Sequence, residues 1–226
     1  MTSQNRNRYP ERLLVANRGE IARRVLATTR RLGVESVGVY HPIDRDLPHV
    51  AEADRAVVLQ AENPVDGYLD GAQIIRIALE TGATAIHPGY GFLAENAQFA
   101  QDVAAANLTW VGPTASAIRI MGDKIEARKA VAEAGVPISG GTAVALGSAE
   151  EAIEEARRVG FPVMVKAAEG GGGIGMAVAR DEAELNRAFE GTQSMAKRSF
   201  GSDRVFIEKF VSAARHVEVQ VLGQAD

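Results

Sequence analysis

The chain contains no cysteine. That excludes disulfides, thiolate metal sites and a cysteine nucleophile, and it suits a reducing compartment, with the cytoplasm as the expected location. No apolar run approaches the roughly 20 residues needed to span a bilayer, so no membrane role is expected. The start, Met1 to Pro10, carries arginines but no apolar h-region, so it is not a secretory signal; residues 1–11 read as a disordered leader. A basic excess is also missing. Lys and Arg total 25 against 29 Asp and Glu, a net charge of -4, which gives no electrostatic case for nucleic acid. What is present is ordinary for a globular protein. The 226 residues are 46% hydrophobic and 24% charged, enough for one large domain or two small ones with a buried core.

One stretch stands out. Val163-Met164-Val165-Lys166-Ala167-Ala168-Glu169 is followed by Gly170 to Gly173, Ile174, Gly175 and Met176. An apolar, β-prone segment ends in a lysine, and a glycine loop leads into a second short apolar segment, Met176 to Ala179. Glycines let successive backbone N–H groups turn toward one point, and a lysine beside them adds a positive charge. A polyphosphate is the natural guest, although such a loop can equally be a plain flexible connection. There is no G-x-x-x-x-G-K-[ST], which excludes a Walker P-loop. No helix obviously follows the glycines, which excludes the dinucleotide fingerprint. A hairpin-like flap between two strands remains.

Along the chain, apolar periodicity predicts strands at Arg12–Ala16, Val34–Tyr40, Ala56–Leu59, Ala83–Ile86 and Leu108–Val111. Helices are predicted over Gly19–Leu32, stopped by Gly33, from Asp70 to about Glu80, and over Asn96–Ala106. This alternation implies a parallel sheet with helices on both faces. After Gly112-Pro113 come helices at Ser116–Gly122 and Lys124–Ala134, then a linker over Gly135–Gly141. Ser148 with Glu151, and Asp181 with Glu184, have capping-box spacing. They open a helix to Val159 and one to about Phe189, with a further helix over Gln193–Arg198. Val205–Lys209 and His216–Leu222 read as strands. The stretch 141–204 thus reads β-α-β-β-α, with the flap at its tip. The alternating last strand, followed by a turn and no returning partner, is read as the front part of a longer protein.

Each candidate site residue has an ordinary alternative. Lys124, after Met121-Gly122-Asp123, is either a solvated lysine at a helix start or a ligand to anions. Lys166 ends an apolar strand against the glycines, which favours a ligand role. In Phe206-Ile207-Glu208-Lys209-Phe210 the charged pair sits where a strand would leave the core. His216 is a packing residue or a ligand. The turns His87-Pro88-Gly89-Tyr90-Gly91-Phe92 and Asn17-Arg18-Gly19-Glu20 follow strands, where open parallel sheets bind ligands, but either can be a plain turn, and Arg18 can simply pair with Glu20 or a neighbour.

Taken jointly, five segments resemble biotin carboxylase, the ATP-grasp component of biotin-dependent carboxylases. They are Ala16-Asn17-Arg18-Gly19-Glu20-Ile21-Ala22, the run from His87 to Asn96, Met121-Gly122-Asp123-Lys124, Lys166-Ala167-Ala168 with its glycines, and Arg215-His216-Val217-Glu218. The resemblance runs from about Arg12 to Leu222. It implies an α/β fold: a doubly wound parallel-sheet N-terminal domain over 12–122, a helical linker at 123–140, an ATP-grasp lid over 141–204, and the start of the ATP-grasp core at 205–226, cut short. It implies that Lys124 and Lys166 contact ATP phosphates, Lys166 also near the adenine, and that flap amides around Gly172 and Gly173 cover them. Glu208, Lys209, Phe210 and Val211 would form the adenine hinge, largely through backbone groups, with His216 by the ribose.

The implied reaction uses ATP, Mg2+ and bicarbonate to make carboxyphosphate and then carboxylate biotin on a carrier domain. The implied partners are that biotin carboxyl carrier domain and a carboxyltransferase domain or subunit, and the family often forms homodimers. Two residues depart from the pattern. Ile174 stands where a basic residue is usual, and Glu169 where a small neutral one is. The catalytic residues and magnesium ligands of the family are expected after Asp226, so the isolated chain is expected to be inactive. Two other readings are a different ATP-grasp ligase, such as a carbamoyl-phosphate synthetase, and a non-catalytic nucleotide-binding module.

Overall fold

The computed structural model describes residues 9–169, 175–215 and 217–223, and it falls into two compact units, Met1–Arg119 and Ile120–Asp226. In the first unit the elements run β1 (Arg12–Val15), α1 (Gly19–Leu32), β2 (Glu35–Tyr40), α2 (Pro48–Glu52), β3 (Arg55–Val58), α3 (Pro64–Leu69), α4 (Gly71–Thr81), β4 (Ala85–His87), α5 (Ala97–Ala105) and β5 (Thr109–Trp110). The strands form one sheet in the order β3-β2-β1-β4-β5, and all four neighbouring pairs are parallel. Each crossover needs a helix to return the chain to the same end of the sheet, as the strand–helix alternation predicts.

The helix ends follow from their caps. Gly33 and Gly82 close α1 and α4 in the left-handed region at φ 70° and 71°, where a Cβ would clash. Asp70 and Asn96 open α4 and α5 by accepting from Gln73 N–H and Phe99 N–H. Helix α1 is amphipathic and turns Ala22, Leu26 and Thr29 inward. The short helices α2 and α3, each with proline in its first turn, lie where the sequence suggests loop. They are too short to show a period; a proline at the start marks both, and only α3 has a side-chain cap, Asn63 accepting from Asp66 N–H.

The second unit begins as α6 (Ala115–Gly122) ends and continues with α7 (Lys124–Glu133), α8 (Ala149–Val159), β6 (Val163–Ala167), β7 (Met176–Ala179), α9 (Glu182–Phe200) and β8 (Val205–Lys209). Its antiparallel sheet has the order β7-β6-β8. Pairing of Val163 with Ala179 and of Lys166 with Met176 makes β6 and β7 the two arms of the glycine hairpin. The period of two then sorts the faces. Val163, Val165, Val205 and Ile207 pack with Ala152, Ala156, Leu185 and Phe189 of α8 and α9 in one core. Phe206 packs instead with Ile125 and Ala168. Each fully buried side chain of this size contributes about 1.5–3 kcal/mol.

Three expectations are corrected. The helix after Asp181 does not stop near Phe189; α9 is continuous for 19 residues. Gly191 costs it only roughly 0.5–1 kcal/mol, while Leu185, Phe189, Thr192 and Ala196 hold one face buried. The strand expected over His216–Leu222 is not formed among the described residues 217–222, and Val217, Val219, Val221 and Leu222 are exposed. The alternation there is real, but residues 217–222 take part in no strand pairing. The first strand of the 141–204 module is reduced to two isolated bridges, Gly141 with Glu208 and Leu146 with Val205.

Candidate functional site

The candidate site is built at the carboxyl end of β6 by residues of the second unit. Lys124 is the first residue of α7. The Asp123 carboxylate caps that helix, accepting from Ile125 N–H at 2.9 Å and Glu126 N–H at 3.2 Å. Lys124 N–H donates to Ala168 O at 3.1 Å, and its Nζ to Ala167 O at 3.4 Å. The helix start is thus fastened to the strand that carries Lys166. Burial, reinforced by the charge of Lys166, holds the Lys124 ammonium below its usual range, with Asp123 and Glu208 opposing. Two elements distant in sequence therefore converge on a shared cationic locus suited to a multiply charged anion.

Glu208 sits on the same face of the sheet as Lys166. Across the β6–β8 ladder Lys166 faces Phe206 and Met164 faces Glu208, so Lys166 and Glu208 are diagonal neighbours within reach of long side chains. Lys166 Nζ lies 2.5 Å from Glu208 Oε2, and Arg128 Nη1 lies 2.8 Å from Oε1. The expected hinge is therefore more than a run of backbone groups. The side chain of Glu208 is committed to two cations. Lys209 Nζ donates to Gly160 O and Phe161 O, both at 2.9 Å, and Lys209 N–H to Gly140 O. Phe210 N–H donates to Pro162 O at 3.1 Å. Val211 is exposed. Lys209 is thus a clamp on the 160–162 turn, a use the sequence pattern does not reveal. Gly172, Gly173, Ile174 and His216 lie outside the described residues.

Arg204 ties the site together. Its guanidinium reaches Asp123 Oδ2 at 2.5 Å and stands 3.9 Å from Glu169 Oε1. The charge of Glu169, unusual for the pattern, thus has an arginine facing it. For the Asp123 carboxyl, burial pushes upward, but Arg204 and the Glu126 and Ile125 N–H groups together outweigh it and leave it below the usual carboxylate range. Arg128, Arg204 and the capping role of Asp123 were not legible as site features. Arg128 and Glu208 are 80 positions apart, and no local pattern links them.

In the first unit, the turns after β1 and β4 serve each other. Asn17, fully buried, donates through Nδ2 to Pro88 O at 2.7 Å and Tyr90 O at 2.9 Å. A Cβ on Gly89, at φ +68°, would meet Ile21 at 2.5 Å and Asn17 at 2.8 Å. The glycine permits close approach of chain to chain. Arg18 pairs with buried Asp44 rather than Glu20, and Asp44 also accepts from Tyr68 Oη at 2.8 Å. An open, apolar groove of about 530 Å3 lies along α1, lined by Leu13, Val25, Leu32 and Val34 among others; it contains neither lysine of the candidate site.

Residues 9–118 match the family described as biotin carboxylase, N-terminal domain, and residues 123–226 match the carbamoyl-phosphate synthase L chain, ATP binding domain. The chain is 49% identical over 214 residues to a biotin carboxylase of Pseudomonas aeruginosa, covering 94% of this chain and 48% of that protein. It is 48% identical over 213 residues to biotin carboxylase 1 of Bacillus subtilis, covering 94% and 47%. Among solved structures, the biotin carboxylase domain of Hydrogenobacter thermophilus 2-oxoglutarate carboxylase superposes with a TM-score of 0.86 at 42% identity, over 90% of this chain and 45% of that one. A Campylobacter jejuni biotin carboxylase gives 0.87 at 38% identity, over 90% and 46%. The chain spans about half the length of the relatives it matches. With its N-terminal domain and its ATP-binding domain both matched in order, the chain belongs to the biotin carboxylase family.

Proposed function

We propose that this chain supplies the N-terminal domain and part of the nucleotide-binding site of a biotin carboxylase, which uses ATP and bicarbonate to carboxylate biotin on a carrier domain. The observation that carries this reading is the fastening of Lys124 to Ala167 O and Ala168 O, at the end of the strand that carries Lys166; burial first, and the charge of Lys166 second, hold Lys124 below its usual range. Two lysines so placed add positive charge at one strand end, which favours a multiply charged anion there. Lys124 and Lys166 would hold the phosphates, and the Glu208–Val211 segment would take the adenine. ATP, when bound, supplies the phosphoryl group that makes bicarbonate electrophilic. The chain's own part is to bind and orient the triphosphate and neutralise its charge, which is most of what phosphoryl transfer requires.

Among the described residues no group of three or more His, Asp or Glu is placed to hold a metal ion. The H. thermophilus relative was crystallised as a dimer with MgADP, ADP and bicarbonate, which supports the ligand set and a homodimer. Relatives named methylcrotonoyl-CoA carboxylase subunit alpha and propionyl-CoA carboxylase alpha chain are longer still, the chain spanning 30% and 29% of them. They support a setting with carrier and carboxyltransferase partners. Among the described residues no helix is long and apolar enough to cross a membrane; the lack of cysteine favours the cytoplasm, although these two relatives are mitochondrial.

A polypeptide of the relatives' full length that contains this chain should cleave ATP in a bicarbonate-dependent reaction stimulated by free biotin. Lys166→Ala in it should weaken ATP use by about tenfold or more, since a hydrogen bond to a charged group is worth roughly 1.5–3 kcal/mol. The 226-residue chain alone should show no biotin-dependent turnover. Absence of biotin stimulation in the long form would overturn the assignment, and unaltered ATP kinetics in the variant would remove Lys166 from the site.

A further inference from the structure

Arg128 is the least expected member of the candidate site. It projects from α7 into a nearly closed environment: the side chains of Arg128, Glu208 and Lys166 are 13%, 15% and 22% exposed. Arg128 is gripped from the other side by the 135–141 segment, donating to Ser139 Oγ at 3.0 Å and Ser139 O at 2.7 Å. That segment is itself pinned to β8. Lys209 N–H bonds Gly140 O at 2.7 Å, and Gly141 bridges Glu208. The guanidinium is therefore fixed by a scaffold independent of Lys166, and one carboxylate, Glu208, stands between the two cations with an oxygen for each.

We propose that Arg128 is a positioning residue for Lys166. The two share the Glu208 carboxylate, and Arg128 keeps that carboxylate paired when Lys166 turns from it to a nucleotide phosphate. The proposal rests on the nucleotide-binding reading given above. Its physical reason is the cost of an unpaired, largely buried charge. If Lys166 were the sole partner of Glu208, moving its ammonium to a phosphate would strand the carboxylate, and the lysine would be held back. With Arg128 anchored by Ser139, Glu208 loses one of two partners instead of its only one. Lys166 becomes a mobile charge on a fixed base, the property a phosphate-binding lysine needs.

Two measurements on a polypeptide of the relatives' full length that contains this chain separate this inference from the reading beneath it. The first needs no nucleotide. Lys166 is acylated with a pulse of N-hydroxysuccinimide acetate and quantified by peptide mass spectrometry against Lys197, whose side chain is 72% exposed. Acylation requires the neutral amine. Arg128→Ala throws the whole carboxylate onto Lys166 and should slow its reaction about threefold or more. Arg128→Gln, which can still bond Ser139 if loss of the side chain unfolds the unit, should slow it likewise. Glu208→Gln should speed it. The second measurement is calorimetric titration with the magnesium salt of a nonhydrolysable ATP analogue. Arg128→Ala should weaken binding about tenfold, the scale of one charged hydrogen bond. The double variant Arg128→Ala/Glu208→Gln should return to within about threefold of Glu208→Gln alone, because no carboxylate then detains the lysine.

A purely structural arginine would damage the double variant as much as the single one. Unchanged Lys166 acylation in both Arg128 variants, or absence of rescue by Glu208→Gln, overturns the proposal. No nucleotide binding by the wild-type full-length polypeptide overturns the nucleotide reading and the use made of the pair, while the acylation rates still decide the sharing itself.

Discussion

Asp123 joins the fold of the second unit to its site, and its removal tests both. Its Oδ1 caps α7 through two N–H groups, and its Oδ2 receives Arg204. Asp123→Ala loses an N-cap, about 1 kcal/mol, and the Arg204 pair. That pair is discounted to about 0.5–1 kcal/mol because Arg204 is 41% exposed and screened by solvent. The sum is about 1.5–2 kcal/mol. Asp123→Asn keeps a competent cap and should lose only the second part. All tyrosines and the single tryptophan fall at or before position 110, so intrinsic fluorescence is blind to this unit. Hydrogen exchange read on peptides of β6 and α7 is the appropriate assay. Exchange should accelerate about tenfold or more for Ala and about two- to fivefold for Asn. The sign with pH follows from the depressed carboxyl. The wild-type advantage over Asn is full above the unfolded value near ~3.9 and is lost as pH falls through the lower folded value. Equal exchange in the Ala and Asn variants would refute the capping argument, and an Asn variant indistinguishable from wild type at neutral pH would refute the ion-pair argument.

Gly141→Ala should loosen the anchor of Arg128, because its Cβ would stand 2.5 Å from Ile207 O and 3.3 Å from Arg128 Nη2; a cost of about 1–3 kcal/mol should appear as faster exchange in β8. In the first unit, Asp44→Ala strands the Tyr68 hydroxyl and Arg18, with Asp44 only 3% exposed. A loss of about 2–3 kcal/mol should lower the urea midpoint followed by Trp110 fluorescence. His49 is fully buried, and burial lowers its pKa, as it does for His87. The unfolded chain then binds more protons, so stability should fall as pH drops below about 6.5, and His49→Gln should flatten part of that slope in the Trp110 midpoint.

Much of the scaffold was legible because its signals are local. A helix such as α1 declares itself through a period of 3.6 and a terminal glycine, and Asp70, Asn96 and Ser148 act as caps within three residues of their targets. The β6–β7 hairpin follows from two apolar runs around glycines. The same locality misleads where context rules. Gly191 reads as a helix break, yet the buried face of α9 carries the helix through it. The alternation after His216 reads as a strand, but a strand needs a ladder partner in register, and residues 217–222 pair in no sheet.

The sequence by itself determined the alternation of elements, the glycine hairpin and the placement of Lys166 at a strand end, because these depend on side-chain period, backbone freedom and capping over a few residues. Only the tertiary structure decided that Lys124 is fastened to the end of the strand carrying Lys166, that Glu208 is divided between Lys166 and Arg128, and that Lys209 clamps a turn. Those contacts join residues dozens of positions apart, through ladder register and helix docking. The electrostatics of the candidate site therefore arises only once β6, β8 and α7 have been packed together.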